Sequence, residues 1–214
     1  EANKPIAEHL EKLGALFALK KIKHQYPHCW RCHKPIIFRA TSQWFCSVDD
    51  FKDAAVKAAE DVKWYPEWGK DRLQSMVVER ADWCISRQRK WGVPIPVVYC
   101  KECGKEIIDD GIMQKVSDIF GEEGSDAWFA HDAEYFLPEG FECPHCHKAN
   151  GFEKETDIMD VWFDSGSSHA AVLKNRDYLK WPADVYLEGA DQYRGWFQSS
   201  LLTSVAAGNR APYE

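Results

Sequence analysis

Trp181-Pro-Ala-Asp-Val-Tyr-Leu-Glu-Gly-Ala-Asp-Gln-Tyr-Arg-Gly-Trp-Phe-Gln-Ser-Ser-Leu-Leu-Thr-Ser204 is the stretch on which the reading of this 214-residue chain turns. Val185, Tyr186 and Leu187 form a short apolar run between Pro182 and Gly189, which predicts a strand. From Asp191 onward Trp196, Phe197, Leu201, Leu202 and Val205 recur at helical spacing. The pattern is therefore strand, glycine turn, helix. In an open α/β sheet such a turn lies at the carboxyl edge of a strand, where ligands bind. Gly189 lets a ligand approach the backbone closely, Asp191 suits sugar hydroxyls, and Gln192 and Trp196, four apart, share a helical face. An ordinary strand–helix junction with an Asp near the helix N-terminus fits the same pattern.

Working outward, Asp157 to Phe163 predicts a strand, and Asp164-Ser-Gly-Ser-Ser-His169 a turn into a helix with Ser168 as its N-cap. Ser167 and His169 invite a hydrolase reading, but the chain has no Gly-x-Ser-x-Gly elbow. Trp162 is either a core side chain or a wall for an aliphatic ligand. Tyr99-Cys-Lys-Glu-Cys-Gly104 and Phe141-Glu-Cys-Pro-His-Cys-His147 each place two thiols on a tight turn. Cys100, Cys103, Cys143 and Cys146 can together close a tetrahedral zinc site with sulfurs at about 2.3 Å, structural because no position stays open. His145 or His147 can replace one thiol. Between the knuckles, Met113 to Phe120 predicts a helix.

Earlier in the chain, Ile6 to Leu19 reads as an amphipathic helix weakened by Gly14, followed by the basic run Lys20, Lys21, Lys23 and His24. Cys29 and Cys32 make a third Cys-x-x-Cys. Two thiols cannot close a zinc site, so this is a half-site that His28, His33 or Cys46 can complete, or a turn with two free thiols. A redox role needs a βαβ frame that Pro27 and Pro35 do not offer. Ile36 to Phe45 predicts a strand, and Phe51 to Val62 a helix capped by Asp49 or Asp50. The segment Trp64-Tyr-Pro-Glu-Trp-Gly69 breaks it before a second helix over Arg72 to Arg80. Arg87, Arg89 and Lys90 lie between Trp83 and Trp91, either as a basic loop with its indoles turned inward or as a nucleic-acid contact.

Composition bounds these readings. With 45% hydrophobic and 29% charged residues the chain has an ordinary globular make-up. A net charge of −7 excludes a general nucleic-acid coat and confines any RNA contact to local basic patches. Ten Trp point to aromatic-lined pockets. Eight Cys, four of them in two separated Cys-x-x-Cys pairs, fit metal in a reducing cytosol better than a disulfide scaffold. No signal-peptide pattern and no membrane-length apolar run occur, so a cytoplasmic location without membrane contact is expected.

Read as a string, Leu187-Glu-Gly-Ala-Asp-Gln-Tyr-Arg-Gly-Trp-Phe-Gln-Ser-Ser-Leu201 resembles the second half of the catalytic domain of isoleucyl-tRNA synthetases, a class I aminoacyl-tRNA synthetase family. Tyr26-Pro-His-Cys-Trp-Arg-Cys32 with Arg39-Ala-Thr-Ser-Gln-Trp-Phe45, then Trp83-Cys-Ile-Ser-Arg-Gln-Arg-Lys-Trp-Gly-Val-Pro-Ile-Pro96, then Asp160-Val-Trp-Phe-Asp-Ser-Gly-Ser-Ser-His169 agree with it in the family's order. Valyl and leucyl relatives share the plan but not the Glu-Gly-x-Asp-Gln string. The resemblance implies an α/β fold: the second half of a Rossmann-type catalytic domain with an inserted zinc ribbon. Residues 1–47 would return from an editing insertion, 48–98 form a helical connective part, 99–155 the ribbon, and 156–214 the Rossmann half. In some family members Cys29 and Cys32 pair with a Cys-x-x-Cys far upstream.

The implied activity is isoleucine–tRNA ligation: isoleucyl adenylate forms from isoleucine and ATP, with Mg, and is transferred to tRNA(Ile). By resemblance Glu188, Gly189 and Asp191 contact the adenylate, Gln192 holds the amino-acid end, and Trp162 and Trp196 enclose the side chain. No protein nucleophile is implied. The family's His-x-Gly-His and Lys-Met-Ser-Lys-Ser phosphate signatures are missing. The chain is therefore expected to be an internal piece, inactive alone, whose partners include the rest of the same polypeptide. The alternative is a zinc-stabilised RNA-binding or interaction module.

Overall fold

A computed structural model describes residues 2–214. The chain forms two compact units, Glu1–Ser42 and Gln43–Glu214. In the first, helix α1 spans Asn3–Lys12. It is shorter than the periodicity predicts, because the chain turns at Gly14 with φ +67° and leaves the helix. The only other regular feature described there is a bridge between His28 and Pro35 that closes a hairpin around Cys29 and Cys32.

In the second unit, β1 (Phe45–Cys46) pairs antiparallel with β2 (Trp83–Cys84). Between them lie α2 (Lys52–Glu60) and α3 (Trp68–Val78). The strand expected over Ile36 to Phe45 is thus reduced to its last residue plus Cys46, the pair for which β2 supplies a partner. The expected Asp cap of α2 does not form: Phe51 holds the cap position, and Asp49 accepts from Lys52 Nζ at 2.6 Å instead.

Strand β3 (Ser86–Arg87) leads to a three-stranded antiparallel sheet in which β4 (Val98–Cys100) is flanked by β5 (Glu106–Ile107) and, after the intervening helices, by Phe152–Lys154. Those helices are α4 (Asp110–Glu123), α5 (Ala127–Ala130) and α6 (Ala133–Phe136). Asp109 caps α4 by accepting from the Ile112 N–H at 3.0 Å. Phe152–Lys154 is β6. This ribbon has its own apolar core of Val98, Ile107, Ile112, Val116, Trp128 and Phe136, all buried. Lys154 runs over the Trp128 ring and donates to the carbonyls of Trp128 and His131.

After the ribbon, β7 (Ile158–Met159) returns to pair antiparallel with β3. Helix α7 (Val161–Gly166) starts at once, so the strand expected through Phe163 ends four residues early. Its cap is Asp160, whose carboxylate accepts from the Trp162 N–H; Ser168 holds the expected cap position of the next helical turn but makes no side-chain cap bond. A π-helical turn covers His169–Leu173. The predicted strand Val185–Leu187 does not form: the nearby pairing is a lone parallel bridge, Ala183 to Tyr213. The predicted helix from Asp191 is two pieces, a 3-10 segment Ala190–Arg194 and helix α8 (Trp196–Gly208), parted at Gly195.

Helix α8 is central. Phe197, Leu201, Leu202 and Val205 pack with Leu73 and Val77 of α3 and Ala55 and Ala59 of α2, and α7 packs along α8 as well, with Phe163 against the same core. Asn209 ends it in the left-handed conformation, φ 52°. The content is therefore mixed α and β; among the described residues the β part is two short antiparallel pairs and one three-stranded antiparallel sheet, with a few isolated bridges. No helix of the described residues is long and apolar enough to cross a membrane.

Candidate functional site

Two of the side chains singled out by sequence, Trp162 and Gln192, meet at Gly195. Its N–H bonds back to the Gln192 carbonyl. The Gln192 side-chain oxygen then accepts the Trp196 N–H at 2.9 Å, which caps α8 and holds the 3-10 segment to it. A Cβ at position 195 would collide with that Gln192 oxygen and come within 3.0 Å of the Trp162 ring. The absence of a side chain is what lets the Trp162 indole and the Gln192 amide lie side by side.

Trp162 is 42% exposed and walls a cavity of about 500 Å³ together with Arg80, Arg87, Asp160, Gln198 and Gly195. Trp196 turns the other way. Its ring stacks on Tyr186 at 3.8 Å between centroids, 20° from parallel, and its Nε1–H donates to the Ser165 carbonyl at 2.9 Å. The two tryptophans are thus tied to the same helix, α7, but do not face one cavity.

Asp191 is exposed and accepts from Gln192 Nε2 at 3.1 Å; Glu188 is exposed and accepts from the Gly189 N–H at 3.3 Å. Glu188 borders a second cavity, about 470 Å³, whose lining includes the aromatic side chains of Trp64, Tyr65 and Tyr186. Gln192, Gly195 and Trp162 are brought together; Glu188 opens on a different hollow.

Sequence reading missed the polar floor under Trp162. Asp160 is 4% exposed, yet its Oδ2 accepts from Trp83 Nε1 at 2.9 Å and pairs with Arg87 Nη2 at 3.1 Å. Arg80 donates to the buried Gln198 and lies over the Trp83 ring, 5.0 Å from its centroid. The one available signal was an Asp just before an apolar helix start, which is a cap signature. Asp164, one turn on, is pushed up to about 6 by burial and by the neighbouring Asp160 charge. The hydrolase pair does not assemble: Ser167 donates to the Phe163 carbonyl, and the buried His169 ring contacts the Gly166 carbonyl.

The four ribbon cysteines converge. Their sulfurs all lie within 4.8 Å of one another, Cys100 to Cys146 at 3.5 Å and Cys103 to Cys143 at 3.8 Å. Sulfurs at tetrahedral zinc distances stand about 3.8 Å apart. Both knuckles have one backbone pattern. The first Cys donates to the carbonyl five residues on (Lys105, Lys148), and the residue after the second Cys (Gly104, His147) donates back to the first and has positive φ.

Burial opposes ionisation of Cys143, but the N–H groups of His145 and Cys146 outweigh it and bring the thiol down to about 6. At Cys146 the Lys148 N–H favours the thiolate, yet burial and the three neighbouring thiols together push it up to about 12. One negative charge is favoured, and further ones need a cation between the sulfurs; the donor set fits a metal ion.

Cys29 and Cys32 repeat the knuckle. The Cys29 N–H donates to the Lys34 carbonyl, His33 donates back to Cys29, and His33 has φ 56°. The N–H groups of Cys32 and Arg31 lower the Cys29 thiol. Among the described residues no third ligand atom gathers with this pair. His28 bonds the Tyr26 carbonyl through Nδ1, and Cys46 belongs to the second unit.

Residues 7–214 match the family model described as tRNA synthetases class I (I, L, M and V), and the chain belongs to that family. Among curated relatives it is 64% identical over 213 residues to the isoleucine–tRNA ligase of Caldicellulosiruptor bescii and 62% over 213 residues to that of Caldicellulosiruptor saccharolyticus. The ligase of Carboxydothermus hydrogenoformans is 61% identical over 217 residues. Each alignment takes in 100% of this chain and 23% of the relative, so the chain spans about a quarter of the length of these ligases.

Proposed function

We propose that this chain is the part of an isoleucine–tRNA ligase that bears the amino-acid wall, the adenosine-facing loop and a zinc ribbon. The observation that carries this is identity above 60% over the whole chain to isoleucine–tRNA ligases. In that reading residues 1–47 return from an inserted domain, 48–98 form a connective part, 99–155 the ribbon, and 156–214 the second half of a Rossmann-type fold. The extended segment Val185–Leu187 supports the last. Val185 and Leu187 are 77% and 83% exposed while Tyr186 turns inward, an out-in-out alternation of a strand whose sheet lies in another part of the ligase.

The chemistry has two steps. The isoleucine carboxylate attacks the α-phosphate of Mg-bound ATP and displaces pyrophosphate. A terminal hydroxyl of tRNA(Ile) then attacks the adenylate carbonyl and AMP leaves. Neither step uses a protein nucleophile; positioning and charge stabilisation carry the rate. Trp162 supplies apolar wall for the aliphatic side chain, and Trp196 closes that region by fixing α7 to α8. Gln192, held by its bond to the Trp196 N–H, presents its amide to the amino-acid end. Asp191 accepts a ribose hydroxyl, and Glu188 and Gly189 meet the adenosine. Zinc held by Cys100, Cys103, Cys143 and Cys146 is structural, with all four positions taken by protein. Cys29 and Cys32 are a second half-site. The ligase works in the cytoplasm.

The test is adenylate formation by the full-length ligase. Asp191→Ala is expected to weaken ATP use, because a ribose hydroxyl loses its acceptor. Trp162→Ala is expected to raise the KM for isoleucine with little change for ATP. Unaltered kinetics in both variants would overturn the assignment.

A further inference from the structure

We propose that Asp160 is the residue that positions Trp162, and so sets the fit of the aliphatic side chain without touching it. The inference rests on the reading of Trp162 as that pocket's wall. Asp160 stands where three pieces meet. Its N–H donates to the Ile85 carbonyl at 2.7 Å, joining the end of β7 to the turn between β2 and β3. Its Oδ1 accepts the N–H of Trp162 itself at 3.4 Å. Its Oδ2 takes both the Trp83 indole N–H and the Arg87 guanidinium. A carboxylate this buried is costly unless every oxygen is partnered, so the three donors fix its place tightly.

That place is transmitted to Trp162 by the shortest available route. Asp160 is the cap of α7 and Trp162 is the second residue of the helix. Where the cap sits decides where the first turn begins, and hence the direction of the indole over Gly195. The free edge of Trp162 has little else to hold it. It is 42% exposed, and among the described residues its ring stacks on no aromatic side chain. The wall therefore depends on its cap.

Asparagine at this position has one oxygen for three donors and turns an NH2 group at one of them. In the full-length ligase, Asp160→Asn is expected to raise the isoleucine KM, on the order of tenfold if the cap is lost. The ATP KM changes far less, while the melting temperature falls because the buried pair with Arg87 and the cap are weakened together. In a Trp162→Ala background the same substitution should add nothing further to the isoleucine KM, because the group through which Asp160 acts is gone. A merely structural role would lower the active fraction, touch both substrates alike, and add fully to Trp162→Ala.

Asp160→Glu keeps the charge for Trp83 and Arg87 but moves the carboxylate away from the Trp162 N–H. It should give the same KM split, and it serves where Asp160→Asn does not fold. An isoleucine KM unchanged in both Asp160 variants, or full additivity with Trp162→Ala, overturns the positioning role. An unchanged isoleucine KM in Trp162→Ala alone overturns the pocket reading instead.

Discussion

Asp164 is a half-buried carboxylate beside a buried one, and its cost has a sign. Burial first, and the Asp160 charge second, lift it from 3.8 to about 6. The folded chain therefore holds this proton more tightly than the unfolded chain does. The stability linked to it is fully present below about pH 4 and is lost as pH rises through about 6. Asp164→Asn cannot ionise, so its melting temperature should exceed that of the parent at pH 7.5, with the gap closing by pH 4. Thermal unfolding followed at both pH values checks this; a gap that does not depend on pH would be incompatible with it. At Gly195 the cost is steric. Gly195→Ala forces Gln192 off the Trp196 N–H and presses on the Trp162 ring. Loss of that cap should destabilise the fold by about 0.5–2 kcal/mol, read by urea unfolding with an unchanged m value.

Among the elements, the ribbon is the most self-contained. Its sheet and helices bury their own core, so metal and apolar packing act in parallel. Chelator-washed chain is expected to retain about one zinc, lost in Cys100→Ser or Cys143→Ser and kept in Cys29→Ser, with elemental analysis as the readout. Zinc surviving both ribbon substitutions would move the site elsewhere. Metal removal should loosen the ribbon without unfolding α2, α3 and α8, which belong to a separate core. Native-state hydrogen exchange distinguishes the two cores. Glu155 ties the ribbon to the segment just before β1: its carboxylate takes the Trp44 Nε1–H at 2.8 Å and the Tyr99 hydroxyl at 2.7 Å.

For the whole molecule, the chain alone is expected to make no isoleucyl adenylate. Phosphate positioning by resemblance needs donors from two signatures that this chain does not carry, and parts that act together do not yield half a rate each. Pyrophosphate exchange with isoleucine and ATP should be absent for the chain alone and present in the full-length ligase. Robust exchange by the chain alone would place a phosphate site within residues 2–214. The extended, unpaired Val185–Leu187 segment also predicts some self-association, which dilution-dependent sedimentation would register.

What could be read directly from the residues were features whose causes are local. The two knuckles were legible because Cys-x-x-Cys and a turn residue act over six positions, and the structure brings their sulfurs together. Helices α2, α3 and α4 were legible in position, because apolar periodicity belongs to one segment, but not in length: α3 starts at Trp68, inside the segment read as a breaker, and α4 runs Asp110–Glu123 beyond the expected Met113 to Phe120. Strands were not legible. Ile36–Phe45, Asp157–Phe163 and Val185–Leu187 all have strand-type residues, but a strand exists only where a second segment supplies hydrogen bonds. Two of the three keep just the residues that found a partner, and Val185–Leu187 keeps none. The caps show both kinds of cause: Ser168 stands at the cap position of His169–Leu173 as its sequence suggests but makes no side-chain bond there, whereas Asp160 caps α7 with a carboxylate that Trp83 and Arg87, more than 70 residues earlier, also reach. Trp162 was legible as a residue type; that its ring lies against Gly195 and its N–H bonds Asp160 was decided only by the tertiary structure, because Gly195 comes from a segment more than 30 residues later.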